Sequence, residues 1–273
     1  DNIASKEWIY RQYDHQVQTN TMQGPGGDAA VLRLKGTSKA IALATDTNGR
    51  YCYLDPLSGG AISVAEVCRN LACVGAEPLA ITDCLNFGNP ERPDVYYQLE
   101  SCVSGISDAC KAFGIPVISG NVSLYNETRG TAIWPTPSIG ALGLLEDAKL
   151  TTNTAFKDAG DIVILIGSNS LESGIESLSG SEYLEVIHNT IKGSPSIDLA
   201  LETIVQDTCI KGIQAGIIKS AHDCSDGGLA VALAESCIAG NIGLVCDQGI
   251  KGRWDTALFG ETQIDRIGEI PKG

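Results

Sequence analysis

The chain has 273 residues and a formal net charge of −14. That length can bury a large core and suits two domains, whereas the acidic balance argues against nucleic-acid binding, which needs basic surface. No run of about 18 apolar residues occurs, so no membrane span is expected. The opening residues Asp1-Asn2-Ile3-Ala4-Ser5-Lys6 do not read as a signal peptide. Ten cysteines fall mostly inside helical or strand patterns and form no CxxC pair. Reduced core thiols are therefore favoured over zinc, and the cytoplasm is the expected compartment. Thirty-one glycines, set among Val, Ile and Ala, suit an α/β protein with tight strand–helix turns. If the substrate is a phosphate compound, Mg2+ must supply much of the positive charge.

In chain order, residues 1–27 read as a polar, irregular arm ending in the turn cluster Gly24-Pro25-Gly26-Gly27. His15 lies beside Asp14 in this arm, but a lone histidine there is more often a surface or packing residue than a catalyst. Ala29–Leu34 and Ala40–Thr45 read as strands. Asp46 ends the second, where it can hold a metal at the lip of a sheet or form an Asx-turn with Asn48; both readings stay open. Ser63-Val64-Ala65-Glu66 reads as a capping box, with Val64, Val67, Leu71 and Val74 as a helical stripe behind it and Gly75 as the stop. Leu79-Ala80-Ile81-Thr82 is an apolar run that ends in a carboxylate, Asp83. A helix near Val95–Phe113 follows, with Leu99, Cys102, Ile106, Cys110 and Phe113 on one face and Gly114 closing it.

Ile115-Pro116-Val117-Ile118 then turns polar through Ser119-Gly120-Asn121-Val122-Ser123, the pattern of a buried strand delivering its last residues into a cleft. Gly120 permits close approach of a backbone or ligand. Asn121 and Ser123 offer neutral oxygens suited to Mg2+, hydroxyl or phosphate groups. A strand–helix–strand unit with polar strand ends is the usual geometry of a site at a sheet edge. The competing reading makes Asp83 and Asn121 turn and capping residues only. Ser138–Leu145 supplies a last strand, giving the order ββαβαββ up to about residue 146.

Asp147–Asp161 is a polar connection and the expected domain boundary. Ile162–Ile166 is expected as a buried strand, Ser168–Ser181 as a Ser/Gly-rich loop and Ile197–Gly216 as a helix. In Ala221-His222-Asp223-Cys224-Ser225-Asp226-Gly227-Gly228, Asp226 or Ser225 can cap the next helix. Gly227 and Gly228 then expose N–H groups at its positive end, where phosphate can bind. Capping with close packing explains the same residues without a ligand, and both readings stay open. There is no Walker sequence and no GxGxxG.

The runs YRQYDHQV, GPGGDAAV, ATDTNGRYCYLDP, EVCRNLACVGAEPLAITDCLNFGNPERP, SGNVSLYNE, PTPSIGALG, GSEYLEVIH, HDCSDGGLAVALAE and LFGET resemble the phosphoribosylformylglycinamidine synthase family, in the second half of its synthetase subunit. The resemblance implies an α/β (α+β) fold. An N-terminal half-barrel, ferredoxin-like ATP-binding domain (28–146) would pair with another half-barrel into a barrel, and an α/β layered domain (147–273) would follow. It implies ATP-dependent conversion of formylglycinamide ribonucleotide to the amidine, with ammonia from glutamine and with ATP activating the amide oxygen. Implied partners are a glutaminase subunit, a small bridging subunit, and the first half of the synthetase or a second copy of the chain. Carried over by position, Asp83 and Gly120 are ATP contacts, Asn121 a Mg2+ ligand and Ser123 a substrate contact. Asp46, Asp226, Gly227 and Gly228 remain further candidates from residue type alone. Two departures from the family pattern are the absence of the first half and a shortened stretch near Asp247–Lys251 and after Gln263, which make the chain read as a fragment.

Overall fold

The computed structural model describes residues 4–167, 174–246, 250, 252–261 and 266–271. The arm is less irregular than its composition implies. It holds a short helix α1 (Glu7–Tyr10) and a strand β1 (Thr21–Gln23), which pairs antiparallel with β2 (Ala30–Arg33). His15 is exposed in this arm. β3 (Ala40–Asp46) follows, then α2 (Gly49–Leu54) and α3 (Pro56–Cys73).

The expected capping box is not a helix start. Pro56 takes the first helical position and Asp55 caps it by accepting from Ser58 N, the preferred arrangement of those residue types. Ser63 lies mid-helix, its Oγ donating to Gly59 O at 2.9 Å. Gly59 and Gly60 hid this first half of the helix from sequence reading, because glycine weakens a helix. They are required by contact: a Cβ on Gly59 would lie 2.5 Å from Cys52 N, and one on Gly60 would lie 3.0 Å from Cys102 Cα. The stripe Val64, Val67, Leu71 and Val74 is fully buried as expected. Each such side chain contributes about 1.5–3 kcal/mol of burial free energy.

β4 (Glu77–Asn86) runs into α4 (Pro93–Phe113), which ends at left-handed Gly114, and into β5 (Val117–Ser123). A small hairpin of β6 (Glu127–Thr128) and β7 (Thr131–Ala132) precedes β8 (Thr136–Leu145). The six-stranded sheet has the order β1-β2-β3-β8-β4-β5. β4 and β5 pair in parallel, as the α4 crossover demands, and the other neighbours are antiparallel. α3 and α4 cover one face. β8 alternates accordingly, with Pro137, Ile139, Ala141, Gly143 and Leu145 buried and the residues between them half-exposed. The opposite face carries the exposed Leu43, Thr82 and Cys84.

The expectation of a buried strand at Ile115–Ser123 is wrong. β5 is the sheet's edge, with Val117 45 %, Ile118 66 % and Val122 54 % exposed. The apolar run that suggested burial belongs to a strand with a neighbour on one side only.

Ile162–Ile166 forms strand β9, and a three-stranded antiparallel sheet has the order β10-β11-β9, with β10 at Ser220–Asp223 and β11 at Arg266–Ile270. Around it lie α5 (Glu182–His188), α6 (Leu199–Gln214), α7 (Gly228–Gly240) and α8 (Trp254–Phe259). α6 begins at an Asp198 cap, two residues inside the expected range. Residues 168–173 of the expected Ser/Gly-rich loop lie outside the described residues. So do 247–249, 251 and 262–265 of the shortened stretches. Together the elements make a mixed α/β fold, as expected.

The two sheets' helices meet through α3 and α6, where fully buried Arg69 pairs with Glu202 at 3.3 Å and Gln206 Nε2 donates to Glu202 at 2.8 Å. Removing one partner of such a buried pair costs about 3–5 kcal/mol, because the other charge is left without its compensation. No described helix is long and apolar enough to cross a membrane.

Candidate functional site

Strand parity divides the four principal candidates. In the β4–β5 ladder Asp83 stands opposite Gly120, Cys84 opposite Asn121, and Asn86 opposite Ser123. Successive residues of a strand face opposite sides, so Asp83 and Gly120 look toward the helices while Asn121 and Ser123 look toward the open face. Thr82 and Ser119 mark that open face, their hydroxyls 2.7 Å apart.

On the helix side, Asp83 borders a cavity of about 530 Å3 whose apolar wall includes Leu85, Val103, Ile106, Cys110 and Val117. Desolvation raises the Asp83 carboxyl above its ordinary value. The space over Gly120 is taken by this carboxylate: a Cβ there would lie 2.6 Å from Asp83 Cγ. Glycine is needed here to seat Asp83, not to admit a separate backbone. On the open side, exposed Asn121 has only neutral neighbours in the ladder: Cys84, Ser119 and Ser123. One amide oxygen does not make a Mg2+ site, so any cation here would draw its remaining ligands from water, phosphate or another polypeptide.

A second cavity, of about 400 Å3, lies where β3, α3 and the segment after β10 converge, and Asp46, Glu66, Ser225, Asp226 and Ser138 line it. Burial and then Asp223 and Asp226 raise Asp46 to about 7. Burial and then Asp46 hold the Glu66 carboxyl well above its usual range, against the pull of Arg69. Carboxylate and hydroxyl oxygens are donor types that a hard divalent cation takes, although among the described residues the acidic group with ligand atoms within 4.8 Å of one another is Asp28, His222 and Asp223. Asn48, the alternative turn residue, does cap α2, accepting from Arg50 N and Tyr51 N. Asp46 is thereby left to the cavity, where Asn70 Nδ2 donates to it at 3.4 Å.

The HDCSDGG segment is held differently from expectation. Asp226 caps nothing; the cap position of α7 is left-handed Gly227, without a side-chain hydrogen bond. Asp226 instead accepts from Arg50 Nη2 at 3.2 Å. The N–H groups of Gly227 and Gly228 are consumed by Glu261 Oε1 (2.8 Å) and Ser225 O (2.9 Å), which removes the phosphate-binding reading for these two. Close packing explains Gly228, since its Cβ would lie 2.6 Å from Gly260 O.

Two profile matches then decide the family: AIR synthase related protein, N-terminal domain, over residues 26–145, and AIR synthase related protein, C-terminal domain, over residues 158–265. The chain belongs to the AIR synthase related proteins. Within that family it is 55 % identical over 263 residues to phosphoribosylformylglycinamidine synthase subunit PurL of Moorella thermoacetica, covering 96 % of this chain and 35 % of the relative. The chain thus spans about a third of the curated relatives it matches. It is also similar to solved structures of T. maritima PurL. With the one complexed with AMPPCP the TM-score is 0.68 at 25 % identity, over 97 % of this chain and 39 % of the other. With the structure of PurLQS from Thermotoga maritima the TM-score is 0.67 at 25 % identity, over 98 % and 40 %.

Several residues of this family member were missed by sequence reading. Buried Arg50 joins α2 to Glu182, to Glu185 at 2.6 Å and to Asp226. Glu261 accepts from Tyr51 Oη at 2.6 Å and from Glu182 N and Gly227 N at 2.8 Å each, and burial raises its carboxyl to about 7. His222 Nδ1 lies 2.7 Å from Asp28 and its Nε2 3.0 Å from Glu235. Burial opposes a charge on the ring, but Asp28 and Glu235 outweigh it and raise the imidazole well above its usual range. In the sequence, only the carboxylate-rich HDCSD and LFGET runs signalled this chemistry, and not which partners they meet.

Proposed function

We propose that this chain is the ATP- and Mg2+-contributing second half of an ATP-dependent carbon–nitrogen ligase. The ligase converts formylglycinamide ribonucleotide to its amidine with ammonia from glutamine. The observation that carries the reading is the two-sided β4–β5 edge, with Asp83 and Gly120 beside an apolar cavity and Asn121 and Ser123 on the open face. Asp83 and Gly120 would hold the nucleotide, and Asn121 would take part in holding its Mg2+. ATP supplies the phosphoryl group that makes the amide oxygen a leaving group. The chain's own residues bind and orient: Asp83 and Gly120 the nucleotide, Asn121 a Mg2+ shared with phosphate, Ser123 the ribonucleotide. The acidic cavity at Asp46, Glu66 and Asp226 fits a further divalent cation.

The open sheet face and free β5 edge fit a second half-barrel, from the first half of the synthetase or from another copy of the chain. A division into an arm (1–27), a first domain (28–146) and a second (147–273) is supported by the family matches over 26–145 and 158–265, although β1 of the first sheet lies in the arm. The partners in this reading are a glutaminase subunit and a small bridging subunit; the similar T. maritima protein has been solved as PurLQS. A second reading, a non-catalytic pairing half with an inert nucleotide, is favoured by the neutral surroundings of Asn121.

The test is Ser123→Ala in a full-length synthetase subunit carrying this sequence, assayed with ammonia, ATP and the ribonucleotide. The ligase reading expects a raised KM for the ribonucleotide with folding intact. Unchanged kinetics would favour the non-catalytic half.

A further inference from the structure

We propose that Asn86 is a further substrate-binding residue, reading a neutral hydrogen-bond donor on the ligand that lies over Ser123. The inference rests on the reading of Ser123 given above and extends it from β5 to β4. Asn86 ends β4 and stands in register with Ser123 on one side and Thr136 of β8 on the other. Parallel register puts its side chain on the same open face as Asn121 and Ser123.

Its amide is oriented by chemistry. Asn86 Nδ2 donates to Cys84 O at 2.9 Å and to Thr136 O at 3.3 Å. Rotating the amide by half a turn would set Oδ1 against two carbonyl oxygens, neither of which can donate. Oδ1 is therefore held on the other side, where it accepts no hydrogen bond from any described residue. The backbone beneath is equally fixed: Phe87 N donates to Ser123 O at 3.1 Å, and Asn126 Nδ2 donates to Ser123 O at 2.7 Å and to Phe87 O at 3.1 Å. Asn86 and Ser123 thus keep one separation before any ligand arrives, which is the arrangement that makes a contact selective.

A locked acceptor favours N–H or O–H and disfavours phosphate or carboxylate oxygen, which would face it lone pair to lone pair. The ribonucleotide carries both kinds of group. Its ribose hydroxyls and amide N–H are neutral donors, and its phosphate has only acceptors at neutral pH. The Asn86–Ser123 corner takes the neutral-donor part, and the substrate phosphate binds away from it.

The experiment compares Asn86→Ala and Ser123→Ala in the full-length synthetase subunit, reading KM for the ribonucleotide and for ATP separately. Asn86→Ala is expected to raise KM for the ribonucleotide about ten- to hundredfold, the range for one specific hydrogen bond, with KM for ATP within about twofold. A rise in both, as a mere strand tie would give, overturns the inference. So does no rise while Ser123→Ala still raises KM, which leaves the reading of Ser123 standing. If neither variant responds, that reading has failed and the inference with it. Should Asn86→Ala not fold, Asn86→Ser serves with the same two readouts: a rise in KM for the ribonucleotide alone supports the inference, and no rise, or a rise in both, overturns it.

Discussion

The Asp83 carboxylate occupies the place where a side chain at residue 120 would be: a Cβ on Gly120 would lie 2.6 Å from Asp83 Cγ, across a parallel strand pair. The two residues form one unit, in which glycine lets the acid lie flat against the edge strand. Gly120→Ala is therefore expected to displace Asp83 and weaken nucleotide binding by about tenfold, one decade per 1.36 kcal/mol. The edge strand is exposed, so the melting temperature should move little. ATP titration and a thermal melt of the full-length subunit check this; unchanged ATP affinity would count against it.

Arg50 and Glu261 tie α2 to α5 and to the Asp226 loop. Because Arg50 and Glu182 are both buried, Arg50→Ala strands the Glu182 carboxylate in a low-dielectric site, while Glu185 and Asp226 keep contact with solvent. The expected loss is about 3–5 kcal/mol, measured by urea unfolding. A loss below about 1 kcal/mol would place these contacts with ordinary surface pairs.

The pH dependence has a definite sign. Asp46 (ordinary value 3.8) and Glu261 (ordinary value 4.5) are each raised to about 7 by burial first. Carboxyls with raised folded values contribute stability that is complete below their unfolded values and is lost as pH climbs through about 7, at about 1.4 kcal/mol per unit for each. The metal-free chain should thus melt at a lower temperature at pH 8 than at pH 5. Asp46→Asn should flatten the profile. Mg2+ should raise the melting temperature more at pH 8, where the cavity is ionised, than at pH 6. A melting temperature rising from pH 5 to 8 without Mg2+ contradicts the assignment.

The exposed Val117, Ile118 and Val122 lie on a strand with a free edge. Such an edge pairs readily, so the chain should self-associate through β5 and the open sheet face at high concentration. Light scattering should report a dimer or larger; a monomer throughout would contradict this.

The β4–α4–β5 unit was legible in the sequence because the α4 stripe, the Gly114 stop and the polar strand ends are local signals. The facing of Asp83 and Asn121 was not, since parity becomes geometry only when register is known. Ser63 and Glu66 matched a cap by spacing, yet Pro56 and Asp55 start the helix earlier, and Glu66 gains its role from Asp46 across the fold. Arg50 and Glu182 lie 132 residues apart in sequence, so no local pattern pairs them. The β5 run misled because an edge strand destined for a partner carries the same apolar residues as a buried one.

The most direct measurement is turnover by the full-length subunit carrying Asp83→Asn or Asn121→Ala, with ammonia, ATP and the ribonucleotide supplied. Loss of a preorganised charged contact or a metal ligand costs roughly 2–4 kcal/mol of transition-state stabilisation, or about 30- to 1000-fold in rate. The account predicts such a fall in both variants with the melting temperature kept, and partial rescue of Asn121→Ala by excess Mg2+. Near-normal turnover in both folded variants would contradict it, leaving Asp83 and Asn121 as strand-end residues without a ligand.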